Sequence, residues 1–215
     1  MKRYNRKSLA VVTPQSSAVQ LIATQDMKNF LRVDITTDDA LIEEFIKTAQ
    51  EVVAQYLRRS ILTTTYDFTM DNFGGDNRFE NSISEGVHEL PKYMLQGGLN
   101  AIDLPMPPII SITTIKTYSR DNTESTFAAA SYRLDTAGRV YLNEGYNWPT
   151  ELRDQNGVVI RFVAGWGYTS VPLPVKQAIR QYAAAMYDCR KMCEMPQEIM
   201  DMLGPWRILD PMGMW

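Results

Sequence analysis

The stretch TTDDALIEEFIKTAQEVVAQYLRR, residues 36–59, constrains the fold more than any other part of the chain. Leu41, Ile42, Phe45, Ile46, Ala49, Val52, Val53, Tyr56 and Leu57 recur at the helical period and gather on one side. Glu43, Lys47, Gln50, Glu51, Gln55 and Arg58 gather on the other. The apolar arc exceeds the roughly 100° of a surface helix, so this side needs a covering element. Thr36 or Thr37 is placed to cap the start. Asp38, Asp39, Glu43 and Glu44 suit the positive end of the helix dipole, and Arg58 and Arg59 the negative end.

The only comparable stripe comes more than a hundred positions later. Val175, Ala178, Ile179, Tyr182, Met186, Cys189 and Cys193 share one face, with Lys176, Gln177, Arg180, Arg190 and Lys191 off it. Pro174 suits a first helical position, and Pro196 is expected to stop the helix. This stripe is expected to pack on the helix of residues 37–59. A short helix over residues 25–31, capped by Thr24, precedes them with Met27, Phe30 and Leu31 on its apolar side. Another turn or two is expected over residues 197–203, ended by Gly204-Pro205.

Between the two stripes the period changes. Tyr66, Phe68 and Met70 alternate as in a strand. Residues 101–104, 109–118, 132–134, 139–142 and 158–163 read as further strands, with a turn at Ala137-Gly138. Their spacing suggests a small antiparallel sandwich or barrel. The loop over residues 72–100, with Gly74-Gly75 and Gly97-Gly98, is long enough to point to function or mobility. The fold class is therefore α+β: a helical bundle of residues 21–61 and 172–195, interrupted by a β domain over residues 62–171. Residues 1–20 form an extended arm whose start, Lys2, Arg3, Arg6 and Lys7, is basic. Residues 196–215 form a C-terminal element that is apolar yet broken by Pro and Gly.

Composition narrows the function classes. The net charge of −3 argues against a protein that coats nucleic acid. No apolar run approaches the roughly 20 residues of a membrane-spanning helix. The N-terminal apolar run is too short for a secretory signal. Cys189 and Cys193, the only cysteines, lie four apart, so they staple no distant parts; they point to synthesis in a reducing cytoplasm. His88 is the only histidine and sits in the loop without a nucleophile partner. Two cysteines and one histidine make no zinc spacing, and Gly165-Trp166-Gly167 lacks the phosphate-loop pattern. Neither catalytic residues nor a cofactor are expected. One binding reading remains: Tyr146, Trp148, Trp166 and Tyr168 as the platform of a glycan- or peptide-binding module.

The order of these features resembles the head–tail connector (adaptor) proteins of tailed double-stranded DNA bacteriophages, in the sub-group with a β insertion. The resemblance rests on Lys28 and Leu31 in the short helix, Asp38-Asp39 in the link, and the long helix ending on a basic residue. It continues through Leu104-Pro105 to Pro108, Tyr132 to Arg139, Trp148-Pro149, the strand from Val158 to Tyr168, and Val171-Pro172. Lys176-Gln177-Ala178-Ile179, Tyr187, Arg190 and the run from Met202 to Arg207 complete it. Loop 72–100 and the tail after Arg207 depart from the pattern.

The resemblance implies a structural virion protein at the head–tail interface. It implies a ring, usually of twelve copies, that docks beneath the portal protein and extends the DNA channel. Double-stranded DNA would pass without sequence-specific binding, and a tail, stopper or tail-terminator protein would attach below. It also implies that the C-terminal element reaches the portal, which nominates Leu203, Trp206, Arg207, Ile208, Leu209, Met212, Met214 and Trp215. Seven of the twelve methionines lie from Met186 onward, which suits a surface that moulds to a partner. A ring needs two different flanks that meet by rotation, and Glu43, Lys47, Glu51 and Arg58 are the expected inter-subunit residues.

Overall fold

The computed structural model describes residues 7–13, 20–73, 101–190 and 193–208. Lys2, Arg3 and Arg6, most of loop 72–100 with His88, and Leu209, Met212, Met214 and Trp215 lie outside the described residues. The chain is α+β, with four α-helices and antiparallel strand pairs among the described residues. It divides into two compact units: one built on residues 13–64 and 165–214, the other chiefly on residues 1–12 and 65–164.

The helical unit holds α1 (Thr24–Leu31), α2 (Asp39–Leu57), α3 (Leu173–Cys189) and α4 (Gln197–Leu203). α2 and α3 run antiparallel, since Asp38 at the start of α2 meets Tyr187 and Arg190 at the end of α3. Ile42, Ile46, Ala49, Val53 and Leu57 of α2 share one core with Val175, Ala178, Ile179, Tyr182, Ala183 and Met186 of α3. Phe45 packs against the same core half-buried, so it and Ile179 share surroundings. Each fully buried aliphatic side chain of this kind contributes about 1.5–3 kcal/mol.

Several local expectations are corrected. Ala23, not Thr24, precedes α1, and Asp38, not Thr36 or Thr37, precedes α2; neither helix has a side-chain cap bond. The Asp38 carboxylate is drawn away to α3, which leaves the cap position to backbone contacts. Gln50, assigned to the polar side, is buried and accepts the Leu21 N–H through its amide oxygen, fixing the chain just before α1. α3 ends at Cys189 because Arg190 turns left-handed at φ 51, so Cys193 lies beyond the helix. Pro196 therefore does not stop α3; it opens α4.

The β unit has a five-stranded sheet in the order β1-β2-β8-β4-β5 and a three-stranded sheet in the order β3-β7-β6. The strands are β1 (Lys7–Thr13), β2 (Thr64–Met70), β3 (Ala101–Asp103), β4 (Ile109–Tyr118), β5 (Glu124–Phe127), β6 (Tyr132–Leu134), β7 (Arg139–Leu142) and β8 (Val158–Ala164). β2 and β8 alternate buried and half-buried residues, the pattern of a strand with one face on a core. Tyr66, Phe68, Met70, Ile115, Val158, Ile160 and Phe162 lie in that core. Asp67 of β2 takes a two-pronged bond from Arg161 of β8, at 2.7 and 2.8 Å. β1 and β5 were not expected: β1 was read as a free arm, but it takes the sheet edge with all seven residues exposed.

Candidate assembly surfaces

On the exposed flank of α2, Glu43 and Lys47 pair one turn apart at 3.0 Å, both about half-exposed. Such a pair contributes about 0.3–0.5 kcal/mol to its own helix and leaves both groups open to exchange partners. Glu51 is exposed two turns from Glu43 and forms no ion pair among the described residues. Arg58 closes α2 in the left-handed conformation, at φ 54, with its N–H on the carbonyls of Ala54 and Gln55. The four expected inter-subunit residues thus lie along one helix, three of them within two turns and Arg58 at its end.

The root of the C-terminal element is folded back on the helical unit. Leu203 is fully buried, so its side chain secures α4 and is not presented to a partner. Trp206 ends a 3-10 turn (Gly204–Trp206) and meets Trp166 edge to face, ring centres 6.4 Å apart. Arg207 is exposed and lies over the Tyr56 ring at 4.6 Å, while the Tyr56 hydroxyl donates to the Met200 carbonyl. Ile208 donates its N–H to the Leu57 carbonyl at 3.1 Å. Arg59 donates to the Trp206 carbonyl at 2.6 Å. Burial holds the Arg59 guanidinium below its usual value.

The link residues named in the resemblance act as a joint. Lys28 is buried on α1 and reaches Asp39 at 2.7 Å, close in distance though poorly aligned for a hydrogen bond. Asp38 accepts the Tyr187 hydroxyl at 2.6 Å and the Arg190 guanidinium at 3.1 Å. The bond to Asp38 pushes the Tyr187 hydroxyl up from its ordinary value. These acids were read as dipole partners; the structure shows that they tie α1, α2 and α3 together at one end. Their spacing gave only the dipole, because the partners Tyr187 and Arg190 come 149 and 152 positions later.

Of the expected aromatic platform, Tyr146 and Trp148 belong to the β unit and Trp166 and Tyr168 to the helical unit. Trp148 stacks on Phe73 at 4.3 Å within the β unit, and Trp166 packs against the helical core and Trp206. Tyr146 and Tyr168 are exposed, Tyr168 with the Lys176 ammonium over its ring. Gly165 explains the turn after β8: it sits at φ +118, and a Cβ there would lie 2.2 Å from the Leu62 carbonyl oxygen. Among the described residues no helix is long and apolar enough to cross a membrane, and no cluster of acids, histidines or cysteines fits a metal ion.

Comparison with known proteins places these features. Residues 22–97 match the family model described as phage gp6-like head-tail connector protein. A chain from the neck of an empty gene transfer agent particle, computed with C6 symmetry, is similar with a TM-score of 0.69 and 19% identity. That match covers 96% of this chain and 98% of the other. A chain from the virion of a native gene transfer agent particle is similar with a TM-score of 0.69 and 19% identity, over 95% and 97% of the two chains. A chain from the neck of a native particle computed with C12 symmetry gives 0.65 and 19%, over 96% and 98%. At this identity the likeness is one of fold. No curated protein matches. The resemblance to head–tail connectors read from the sequence is matched by the family model over residues 22–97.

Proposed function

We propose that this chain is a structural virion protein, a ring-forming head–tail connector, and not an enzyme. One observation carries the reading: the connector family model falls on residues 22–97, the stretch that contains α2 and its joint to α1. The fold likeness to neck chains, which extends over nearly the whole chain, supports it. In this reading twelve copies stand side by side beneath the portal, extend the DNA channel and give the tail, stopper or terminator protein its platform. DNA slides through without sequence-specific contacts, and the ring works without a cofactor. The protein is made in the host cytoplasm and ends at the head–tail interface.

Residues 21–61 and 172–195 build the stiff wall of the ring, with residues 62–171 inserted as a β-sandwich-like domain in the manner of the β-insertion sub-group. Glu43, Lys47, Glu51 and Arg58 face a neighbouring copy. The segment 196–215 meets the portal, through Trp206, Arg207, Ile208, Leu209, Met212, Met214 and Trp215. A heterologous contact of this kind closes into a ring when the rotation between copies divides a full turn. The glycan- or peptide-binding alternative loses its footing because Trp148 and Trp166 each pack, part-buried, against the core of a different unit.

The test is a mass measurement of the chain alone and mixed with the portal ring of the same particle. The expected outcome is a ring, formed alone or templated by the portal. A chain that stays monomeric in both conditions overturns the proposal.

A further inference from the structure

Three stretches far apart in sequence meet at the C-terminal end of α2. The first is Tyr56 to Leu62. The second is the turn at Gly165-Trp166, held by the bridge between Leu62 and Trp166 and by the Trp166 N–H on the Ile61 carbonyl at 3.2 Å. The third is the end of the described chain, Trp206 to Ile208.

Helix ends leave carbonyls without partners inside the helix. Here two ends satisfy each other. The Leu57 carbonyl, in the last turn of α2, receives the Ile208 N–H. The Trp206 carbonyl, at the end of the 3-10 turn, receives the Arg59 side chain at 2.6 Å. The Arg59 guanidinium also lies 5.8 Å from the centre of the Trp166 ring. No carboxylate pairs with Arg59 among the described residues. A part-buried cation whose partners are a backbone carbonyl and an indole face is placed to hold a piece of chain in one position. The apolar core beside it includes Leu57 and Leu203, both fully buried.

We propose that Arg59 is a positioning residue for partner docking: by holding the Trp206 carbonyl it fixes residues 206–208, the root of the element that docks. The inference rests on the connector reading above, in which that segment meets the portal. A docking element whose root is held in place loses less conformational freedom on docking than one whose root is free to move.

The experiment compares full-length wild type, Arg59→Ala, Arg59→Lys and a chain ended after Ile208, each titrated onto portal rings well below its melting temperature. Hydrogen exchange at the Ile208 amide is followed in parallel. The expected results are loss of docking on truncation, a weakening of about tenfold or more for Arg59→Ala, and a smaller one for Arg59→Lys. The Ile208 amide of Arg59→Ala should exchange faster while the amides inside α2 keep their protection. Truncation that abolishes docking while Arg59→Ala docks as wild type sinks the role of Arg59 and leaves the connector reading standing. Truncation without effect on docking sinks the tail's role and this inference with it. Loss of α2 protection in both Arg59 variants, in step with lost docking, assigns Arg59 to folding alone and overturns the proposal.

Discussion

The helical unit builds its core from both ends of the chain, Leu21 to Leu62 joined with Val171 to Leu203. The β unit builds its core from one continuous span, Tyr66 to Ala164. Closing a loop of this length is entropically tolerable, because the cost grows only with the logarithm of the loop. The difference lies in what a local change can reach. In the β unit two of the six strand pairings among the described residues, β4 with β5 and β6 with β7, join neighbours in sequence, and the other four are long-range but lie mostly within that one span. In the helical unit α2 has only α1 and the residues just before it as cover until α3 arrives, and every contact between α2 and α3 is long-range.

The largest test of this contrast is a pair of core truncations. Ile46→Ala in the helical unit should cost about 2–5 kcal/mol, and Phe162→Ala in the β unit about 3–5 kcal/mol, since both side chains are fully buried. Denaturant unfolding should show each variant moving one of two transitions. A single transition shifted equally by both would mean that the two cores melt as one.

Next come two glycines with positive φ. Gly165→Ala sets a Cβ 2.2 Å from the Leu62 backbone oxygen, and backbone cannot step aside. Gly138→Ala, in the β unit, sets it 2.8 Å from Cγ1 of the Ile109 side chain, which can turn. Both incur the left-handed penalty of about 1 kcal/mol, and Gly165→Ala should add several more. Equal melting temperatures for the two variants would remove this distinction between the units.

A smaller effect is expected at alkaline pH. The Tyr187 hydroxyl is raised by its bond to Asp38. A raised value means that this contribution is fully present below the ordinary tyrosine range, near 10, and is lost as pH rises through the folded-state value. Tyr187→Phe should flatten that part of the stability curve for the helical unit only. The β unit has its counterpart at acid pH. Glu124 is lowered by Lys116 and Tyr118, and Asp121 by Ser119 and Thr123. Their contribution is present above the ordinary carboxylate range and is lost as pH falls through the lowered values. Glu124→Gln should remove part of that acid limb.

The smallest effect on the single chain should come from Glu43→Ala with Glu51→Ala, within about 0.5 kcal/mol. The same pair should lower ring formation on the portal, read by mass. Unchanged assembly would move the subunit contact off this flank.

Much of this architecture was legible in the residues. The two apolar stripes, with Ile46 and Ile179 at their centres, foretold a shared core because a helical period admits few alternatives. The strands from Tyr66 to Phe162 were legible for the same reason, at period two. Legibility failed where a partner is remote or a terminus is local geometry. Gln50 looks solvent-facing by its angle, yet the backbone of Leu21 claims it. Cys193 continues the stripe of α3 by count, yet the left-handed turn at Arg190 ends the helix first. β1 carries Leu9, Val11 and Val12 without a buried face, so no alternation marks it as a strand. For the candidate surfaces, Trp206 and Arg207 were nominated by the resemblance, but their being pinned by Arg59 and Tyr56 follows only from the fold.

The hydrogen bond from Ile208 to Leu57 has a consequence for synthesis. On the ribosome the β unit has all its core residues once Ala164 is clear of the exit tunnel. α2, translated far earlier, has only α1 and its approach to cover its apolar side until α3 emerges. A message cut short within α3 should therefore yield a polypeptide with a finished sheet and a sticky helix, a substrate for chaperones and proteases before it can reach any particle.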